Sequence, residues 1–242
     1  MSKESKKAVA NDTSLAVHNA IREMILNREL LPGEKINQIT MSNLLKTSRT
    51  PVINALHRLE SEGLVDSQKN TGFFVHRLSI KELYDLFALR EAIDIIVVHD
   101  IVQFATDEEL NTIEEYFGGF SSQVDLIDPE KYRRADVKFH LSIIALCHNR
   151  VVHKLNDNFQ ILARSYMAGL LRPYKTTLSE HMNIIHALQE RDGKKAEQEM
   201  RNHVNKSKDL IQETINGLIR MKLDPEKIHV DEISLAVEFT NK

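Results

Sequence analysis

The chain has 242 residues, a formal net charge of −3 and a single cysteine, Cys147. This length allows two modest domains with separate cores. One cysteine excludes an internal disulfide framework and is typical of a reducing cytosol, and we interpret it as a core residue. No stretch approaches the roughly 20 apolar residues of a membrane span, and the polar, Lys-rich start lacks a signal core. We therefore expect a cytoplasmic protein with no membrane partner.

The charge is distributed unevenly along the chain. Residues 1–77 contain 11 basic and 8 acidic side chains, whereas the remaining 165 residues contain 21 basic and 27 acidic ones. An excess of basic residues favours binding to nucleic acid. The excess is too small to indicate that function alone, but it directs attention to the N-terminal region.

The N-terminal region begins with residues 1–11, which we predict to be a flexible tail, followed by a domain over residues 12–77. Apolar residues at helical spacing predict a first helix that ends before Leu31-Pro32-Gly33. A shorter helix is predicted from Thr40 to Lys46. Together with the helix that follows, this spacing is typical of a helix-turn-helix.

The third helix has the marks of a DNA-recognition helix. Ser48 is predicted to cap it, and Pro51 falls in its first turn, where a missing N–H has no cost. Val52, Ala55, Leu56 and Leu59 share one side, which leaves Arg49, Ile53 and His57 on the opposite side.

Two short strands are predicted next, Leu64-Val65-Asp66-Ser67 and Phe73-Phe74-Val75-His76, joined by a turn that contains Asn70, Thr71 and Gly72. A helix-turn-helix followed by such a hairpin is a winged helix. With Arg49 and the corner Glu62-Gly63-Leu64-Val65, the region resembles the winged helix-turn-helix of GntR-type bacterial transcription regulators.

That resemblance implies a homodimer that binds double-stranded operator DNA, with one winged helix on each half of a two-fold-symmetric site. Arg49 and Thr50 are expected to do most of the sequence reading. The full set of expected DNA contacts is Ser48, Arg49, Thr50, Ile53, His57, Lys69 and Gly72.

The chain departs from the GntR pattern at two positions. Ile53 stands where the family has Arg, and Thr71 stands in place of the basic residue before the wing glycine, with Lys69 nearby. Each lost phosphate contact predicts a shallower dependence of DNA affinity on salt. Ile53 either reads a thymine methyl group or packs against a neighbouring helix or the wing.

Residues 78–222 show helical patterns and no strand signal. Ser79 is predicted to cap a long helix, Thr106 and Asp128 each lie at the start of another, and Asn149-Arg150 precedes a helix expected to end near Arg172-Pro173. The predicted fold is therefore mainly α: a winged helix-turn-helix followed by an antiparallel bundle of six or seven helices. Residues 223–242 are predicted to be a C-terminal tail.

Four polar residues of the bundle lie on faces that also carry apolar residues. Asp136 and His140 are four residues apart and share a helix face, and His181 and His203 lie within the apolar stripes of the last two helices. One carboxylate and three imidazoles are a suitable ligand set for a divalent metal such as zinc, nickel or manganese. The alternative is that each histidine is an ordinary hydrogen-bonded core residue.

A second resemblance favours the metal. Asp136-Val137-Lys138-Phe139-His140, Glu180-His181 and His203-Val204 resemble the FCD effector domain of the FadR branch of GntR regulators. The resemblance implies that Asp136, His140, His181 and His203 hold a divalent metal ion and that the bundle binds a small organic acid.

Two further residues are candidates for binding the carboxylate of that acid. Arg90 lies in an apolar stripe, so its guanidinium either pairs with Asp94, reaches solvent, or meets a ligand. Asn156 is a candidate hydrogen-bonding partner, with a capping or solvent-facing role as its alternative.

The predicted function is a ligand-responsive transcription regulator. Because most regulators of the resembled family are repressors, we expect a repressor. A metal-dependent enzyme on a helical bundle is one alternative, but no nucleophile or general base with a suitable neighbour is recognisable. A regulator with a purely structural metal is the other. The sequence does not identify the effector, the metal or the operator.

Overall fold

The computed structural model describes residues 3–118, 120, 128–160, 164–165, 168 and 171–233. The chain divides into two compact units. Unit 1 comprises Met1–Leu78 together with Asp157–Met167, and unit 2 comprises Ser79–Asn156 together with Ala168–Lys242. The second segment of unit 1 thus comes from a region that the sequence assigns to the bundle.

Unit 1 is a winged helix. Its helices are α1 (Lys3–Leu26), α2 (Gln38–Leu44) and α3 (Arg49–Ser61), and its strands are β1 (Lys35–Ile36), β2 (Val65–Gln68) and β3 (Gly72–Val75). The strands form an antiparallel sheet in the order β1-β3-β2. β1 was not predicted, because two residues are too few to show an alternating pattern.

The β2–β3 hairpin is the predicted wing. Val65 pairs with Val75 and Gln68 with Gly72. Asn70 and Gly72 close the turn with φ angles of 62° and 112°, backbone conformations that Asn and Gly tolerate best.

The core of unit 1 forms where α1 crosses α3 and where α3 meets the sheet. The apolar side of α3 is buried as predicted, with Val52, Ala55, Leu56 and Leu59 each at most 1% exposed. Ile21 of α1 and Leu64 after α3 complete this core. Since one side of α3 is used for packing, its other side is free to meet a partner.

Two local expectations for unit 1 differ from the structure. Residues 3–11, predicted to be a flexible tail, belong to α1. Lys, Glu and Ala in this stretch are good helix formers and no Gly or Pro interrupts them. Ser48 occupies the cap position of α3, but its side chain makes no capping hydrogen bond.

Unit 2 is built of helices and contains no β-strand within the residues that the structure describes, as predicted. Its helices are α4 (Ile80–Phe104), α5 (Asp107–Gly118), α6 (Pro129–Leu146), α7 (Arg150–Phe159), α8 (Tyr174–Gln189) and α9 (Gly193–Arg220), except that the last three residues of α7 belong to unit 1. The Ser79 hydroxyl accepts a hydrogen bond from the Glu82 backbone N–H, and Asp128 caps α6 in the same way. α4 packs along α9, α9 along α8, and α6 against α4, α5 and α8.

α7 is shorter than the sequence predicts. It ends at Phe159, whereas the expected end was near Arg172-Pro173. Gln160, the next residue, has a φ of 46°. A left-handed residue cannot continue a right-handed helix, so the local backbone ends α7 there.

The start of the predicted C-terminal tail is attached to the bundle. The Ile80 N–H donates to the Ile228 carbonyl, Ser79 and His229 form a β-bridge, and Val230 is buried. These contacts cover the N-terminal end of α4, where backbone N–H groups need acceptors. The rest of that tail, residues 234–242, lies outside the described residues.

Candidate functional site

Three buried imidazoles meet in the middle of unit 2. α6 supplies His140, α8 supplies His181 and α9 supplies His203, and one nitrogen of each lies within 4.8 Å of the others. Nε2 of His140 is 3.2 Å from Nε2 of His181. The structure thus brings together three residues that are 41 and 22 positions apart along the chain, and they are the candidate metal ligands.

Asp136 lies one helical turn before His140 on α6, at the edge of this group. Its Oδ1 is 3.3 Å from Nε2 of His181. Burial raises the pKa of Asp136 to about 7, although the positive charges of Arg90, Arg172 and Arg133 oppose this rise. The predicted fourth ligand is therefore next to the imidazoles, and its environment would favour ionisation if a further positive charge were present.

The same burial keeps the imidazoles neutral. It lowers the pKa of His140 and His181 well below the ordinary value, with neighbouring positive charges adding to the effect, and it lowers the pKa of His203 to about 4. Neutral imidazole is the form that binds a metal ion.

Hydrogen bonds identify which nitrogen of His181 carries a proton. The Tyr132 hydroxyl donates to Thr177 Oγ1 at 2.9 Å, so its oxygen accepts from Nδ1 of His181 at 3.0 Å. Nδ1 therefore carries the proton and Nε2 carries a lone pair, a tautomer that we assign from the hydrogen-bond network. This lone pair faces Asp136 and His140.

His203 is oriented in a similar way. Its Nδ1 lies 2.9 Å from Oε2 of Glu180, a carboxylate that can only accept a hydrogen bond. Burial opposes ionisation of Glu180, but hydrogen bonds from His203, Arg172 and Lys206 hold its pKa well below the usual range. Nε2 of His203 is thereby left as the lone-pair nitrogen.

Such an arrangement of lone pairs fits a cation. Nε2 of His181, Nε2 of His203 and the Asp136 carboxylate can each donate an electron pair, and all three lie in a buried space. Three imidazoles and one carboxylate match the ligands that zinc and related divalent ions prefer. The residues present therefore fit a metal ion.

Both candidate effector residues have buried polar atoms. Arg90 is 3% exposed, its Nε donates to Oδ2 of Asp94 at 3.2 Å, and its Nη2 lies 3.1 Å from Nδ1 of His140. The internal pair predicted from the sequence is present, and the guanidinium also touches the imidazole group. Asn156 Oδ1 is buried without a hydrogen-bond partner.

In unit 1, the expected DNA-contacting residues lie around one face of α3 and on the wing. Ser48, Arg49 and Thr50 are exposed at the N-terminal end of α3, and Lys69 is exposed in the hairpin turn. A groove of about 330 Å³ begins at this end of α3; its lining residues are Thr13, Thr47, Ser48, Thr50, Pro51 and Asn54.

The other expected contacts are less open to DNA than the sequence suggested. Ile53 is half-buried. The His57 side chain is exposed, but its ring packs edge-on against Phe73 of β3 at 5.0 Å and its Nδ1 bonds Glu60 at 3.0 Å. His57 therefore connects α3 to the wing. Gly72 lies at the base of the turn, half-buried.

Sequence reasoning did not identify several residues of these sites. Asn54 is exposed on α3, and Tyr132, Thr177, Glu180 and Arg172 surround the imidazoles. Glu180 stands next to His181 in the stretch that resembles the FCD domain but was assigned no role, and Thr177 could have been noticed because it lies one turn before His181 on the same helix. Tyr132 and Arg172 gave no local signal, since their role depends on helices that are distant in sequence.

Two family profiles match this chain. The profile of the FCD domain matches residues 85–206, half of the chain, and that of the bacterial regulatory proteins of the gntR family matches residues 13–75. The chain belongs to the GntR family. It is a transcription regulator with a GntR winged helix, which implies DNA binding, and an FCD domain, which implies effector binding.

Curated relatives agree with this assignment. The Nta operon transcriptional regulator of Aminobacter aminovorans is 27% identical over 196 residues, which are 81% of this chain and 93% of that protein. The transcriptional repressor RspR of Escherichia coli K12 is 20% identical over 200 residues, which are 81% of this chain and 88% of that protein. Both families and these relatives are regulators and not enzymes.

Solved structures show the same fold. A GntR transcriptional regulator from Rhodococcus sp. RHA1 has a TM-score of 0.69 with 16% identity, covering 82% of this chain and 97% of its own. McbR/YncC of E. coli has a TM-score of 0.68 with 18% identity, covering 87% and 98%. None of the helices described in this GntR protein is long and apolar enough to cross a membrane.

Proposed function

We propose that this GntR protein is a cytoplasmic repressor whose bundle binds a divalent metal ion and, next to it, a small organic acid. The observation that carries the proposal is the buried group of lone-pair donors: His140, His181 and His203 with Asp136 beside them. We assign these four residues as the metal ligands, and zinc, nickel and manganese as the candidate ions.

The organic acid is proposed from the charges next to the imidazoles. A bound metal ion supplies positive charge that attracts a carboxylate. The Arg90 guanidinium, in contact with His140, adds a second positive charge that attracts the same carboxylate, and we assign the buried Asn156 Oδ1 as the acceptor for a hydroxyl of the acid. A carboxylate or hydroxy acid therefore fits the chemistry better than a cationic or apolar ligand.

We propose that DNA is read by Ser48, Arg49, Thr50 and Ile53 of α3 and by Lys69 and Gly72 of the wing, with His57 in the contact set. Arg49 is exposed at the start of α3, where a guanidinium can reach a guanine edge in the major groove. The name of RspR, a transcriptional repressor, supports repression as the sign of control.

A homodimer is proposed because operator half-sites are read in pairs and because α4 exposes an apolar face. Ala88, Leu89, Ala92 and Ile96 are exposed on this helix, and Leu89 and Ile96 are 46% and 48% exposed although they are large. A contiguous apolar face of this kind indicates an interface. A second copy of the chain would cover it symmetrically.

The dimer is tested by sedimentation equilibrium of the wild-type protein and of Leu89→Glu with Ile96→Glu. We expect a dimer for the wild type and a monomer for the variant. The matched control is Leu223→Glu, which adds a charge at another exposed leucine. A wild-type monomer at the concentrations at which it binds DNA would refute the proposal.

The regulatory function is tested in one combined experiment. Metal content is measured on purified protein, organic acids are screened by thermal shift, and each stabilising acid is then added to the complex with a duplex selected from random DNA. An acid that stabilises the protein and changes duplex affinity supports a regulator that senses it. An effector preference of about 1 to 3 kcal/mol for one state would change affinity severalfold to about a hundredfold.

The same experiment separates the alternatives. Stabilisation by metal, with no response to any acid, would indicate that the metal is purely structural. Conversion of an added acid to a product would indicate an enzyme. Absence of metal after growth with zinc, nickel and manganese would contradict the proposed site.

A further inference from the structure

Behind two of the imidazoles lies a second layer of polar side chains that no metal ion would touch. We infer that Tyr132 and Glu180 are positioning residues that hold His181 and His203 with their Nε2 lone pairs directed inward. This inference rests on the proposed metal site. It states which side chain determines the tautomer of each imidazole: Tyr132 for His181 and Glu180 for His203.

We call the hydrogen-bonded side chains behind each of these two imidazoles an arm. The arm behind His181 consists of Tyr132 and Thr177 and carries no charge. Thr177 lies one turn before His181 on α8, and its hydroxyl is within 3.4 Å of the carbonyls of Pro173 and Tyr174, to which it donates. It is therefore an acceptor for the Tyr132 O–H, and Tyr132 in turn accepts from Nδ1 of His181. In this row of hydrogen bonds, the Thr177 hydroxyl donates to backbone carbonyls and the Tyr132 hydroxyl donates to Thr177. Tyr132 can therefore only accept from His181, which places the proton of His181 on Nδ1.

Packing holds this arm in place. Tyr132 is fully buried, with its ring 5.9 Å from Phe117 and from Tyr174. Phe117 also stacks on the His181 ring at 5.0 Å. The imidazole ring therefore cannot rotate freely. Its tautomer is determined by the hydrogen bond between Nδ1 and the Tyr132 hydroxyl.

The arm behind His203 is charged. Glu180 accepts hydrogen bonds from Arg172 Nη1 at 2.8 Å, from Arg172 Nη2 at 2.6 Å and from Lys206 Nζ at 2.9 Å, besides the one from His203. Arg172 is itself held by the Ser207 hydroxyl and the His203 carbonyl. A fixed carboxylate that accepts from a ligand imidazole orients the ring and makes its other nitrogen a stronger electron donor.

The two arms predict different responses to substitution. Thr177→Val keeps the shape of the side chain but removes the acceptor, so the Tyr132 O–H turns to donate to Nδ1 of His181. The proton of His181 then moves to Nε2, where it blocks the lone pair. Thr177→Ser, the matched control, keeps the hydroxyl and the tautomer. Glu180→Gln keeps an acceptor oxygen for His203 but removes the charge.

The experiment measures Zn²⁺ affinity of the full-length protein by competition with a chromophoric chelator. Loss of such outer contacts typically weakens metal binding about 10- to 100-fold. We expect that loss for Thr177→Val, Tyr132→Phe and Glu180→Gln. Thr177→Ser and Tyr116→Phe should bind as the wild type does, since the Tyr116 hydroxyl contacts Ser142 away from the imidazoles.

A second readout separates positioning from simple loss of structure. ¹⁵N spectra of the metal-free protein report the protonated nitrogen of each imidazole, and circular dichroism checks that each variant is folded. We expect the Nδ1-protonated form of His181 in the wild type and the Nε2-protonated form in Thr177→Val. Glu180→Gln should weaken Zn²⁺ binding while His203 stays protonated on Nδ1.

Two results would overturn the inference in distinguishable ways. Wild-type Zn²⁺ affinity in Thr177→Val, Tyr132→Phe and Glu180→Gln would show that these residues do not position the ligands, while the metal site itself would stand. Failure of the wild type to bind Zn²⁺ would remove the proposed site and the positioning role with it.

Discussion

The winged helix and the bundle of this GntR protein bury their polar side chains differently. In the winged helix, Nε2 of His18 lies 2.7 Å from Oε2 of Glu62, and Arg58 donates to the other oxygen of the same carboxylate. In the bundle, the lone pair of His181 faces Asp136 and His140. The first group pairs donors with one carboxylate, whereas the second brings three imidazoles and a carboxylate together at one buried place.

This contrast indicates where each region performs its chemistry. The His18–Glu62 pair joins α1 to the end of α3 and needs no further partner. Most of the winged-helix residues that are proposed to read DNA, such as Arg49, are exposed. In the bundle the candidate site is buried, and it gathers three imidazoles and a carboxylate that suit a divalent cation. The stability of the bundle should therefore depend on a ligand, and that of the winged helix should not.

The largest effect is expected from Glu62→Ala. Removing the carboxylate leaves the buried His18 imidazole and the Arg58 guanidinium without their acceptor, which costs about 3 kcal/mol. Hydrogen exchange followed by mass spectrometry on peptides of α1 and α3 should show this loss, with or without added metal. Glu23→Ala, which removes an exposed carboxylate from α1, is the control. If the loss of protection in Glu62→Ala depended on added metal, the stability of the winged helix would not be independent of a ligand.

The next effect comes from metal removal. At a metal concentration 100 times its dissociation constant, binding adds about 2.7 kcal/mol to the free energy of unfolding. A chelator should therefore lower the melting temperature of the wild type by about 5 to 10 °C.

His181→Ala is the variant that tests this prediction, because it should melt at the same temperature with and without chelator. His186→Ala removes an exposed histidine from the same helix and should respond as the wild type does. An equal response of His181→Ala to the chelator would show that the metal binds elsewhere.

A third prediction concerns the exposed face of α3. Arg49→Ala should weaken binding to a selected duplex by about 1 to 3 kcal/mol and relax the preference at one base pair. Because Arg49 is exposed, the melting temperature should stay unchanged. Fluorescence anisotropy measures the affinity, and Arg134→Ala in the bundle is the control. Unchanged affinity would remove Arg49 from the interface.

The smallest effect is expected from Ile53→Arg, which restores the residue usual in GntR regulators. Each added phosphate contact steepens the plot of log affinity against log salt concentration by about 0.9. Titrations across salt concentrations measure this slope, with Ile53→Leu as the control. If neither the slope nor the selected sequence changes, Ile53 packs within the winged helix and does not face DNA.

Several features of the fold followed from local patterns. The buried side of α3, the wing hairpin and the capping role of Ser79 depend on residues close together in sequence, so periodicity and spacing were sufficient to predict them. The Arg90–Asp94 pair was one of three alternatives for Arg90, and the structure shows that this pair forms. The early end of α7 at Phe159 was not predictable, because Gln160 adopts a positive φ angle and a Gln residue gives no sequence signal for that conformation.

The sequence by itself determined that the chain contains a winged helix, an α-helical bundle and three histidines on apolar stripes. Only the tertiary structure decided that α6, α8 and α9 bring these histidines together, and that Tyr132 and Glu180 lie behind two of them. The physical reason is that helical periodicity assigns a residue to a face. The partner of that face, and the direction of each buried proton, depend on helices that meet across long distances in sequence.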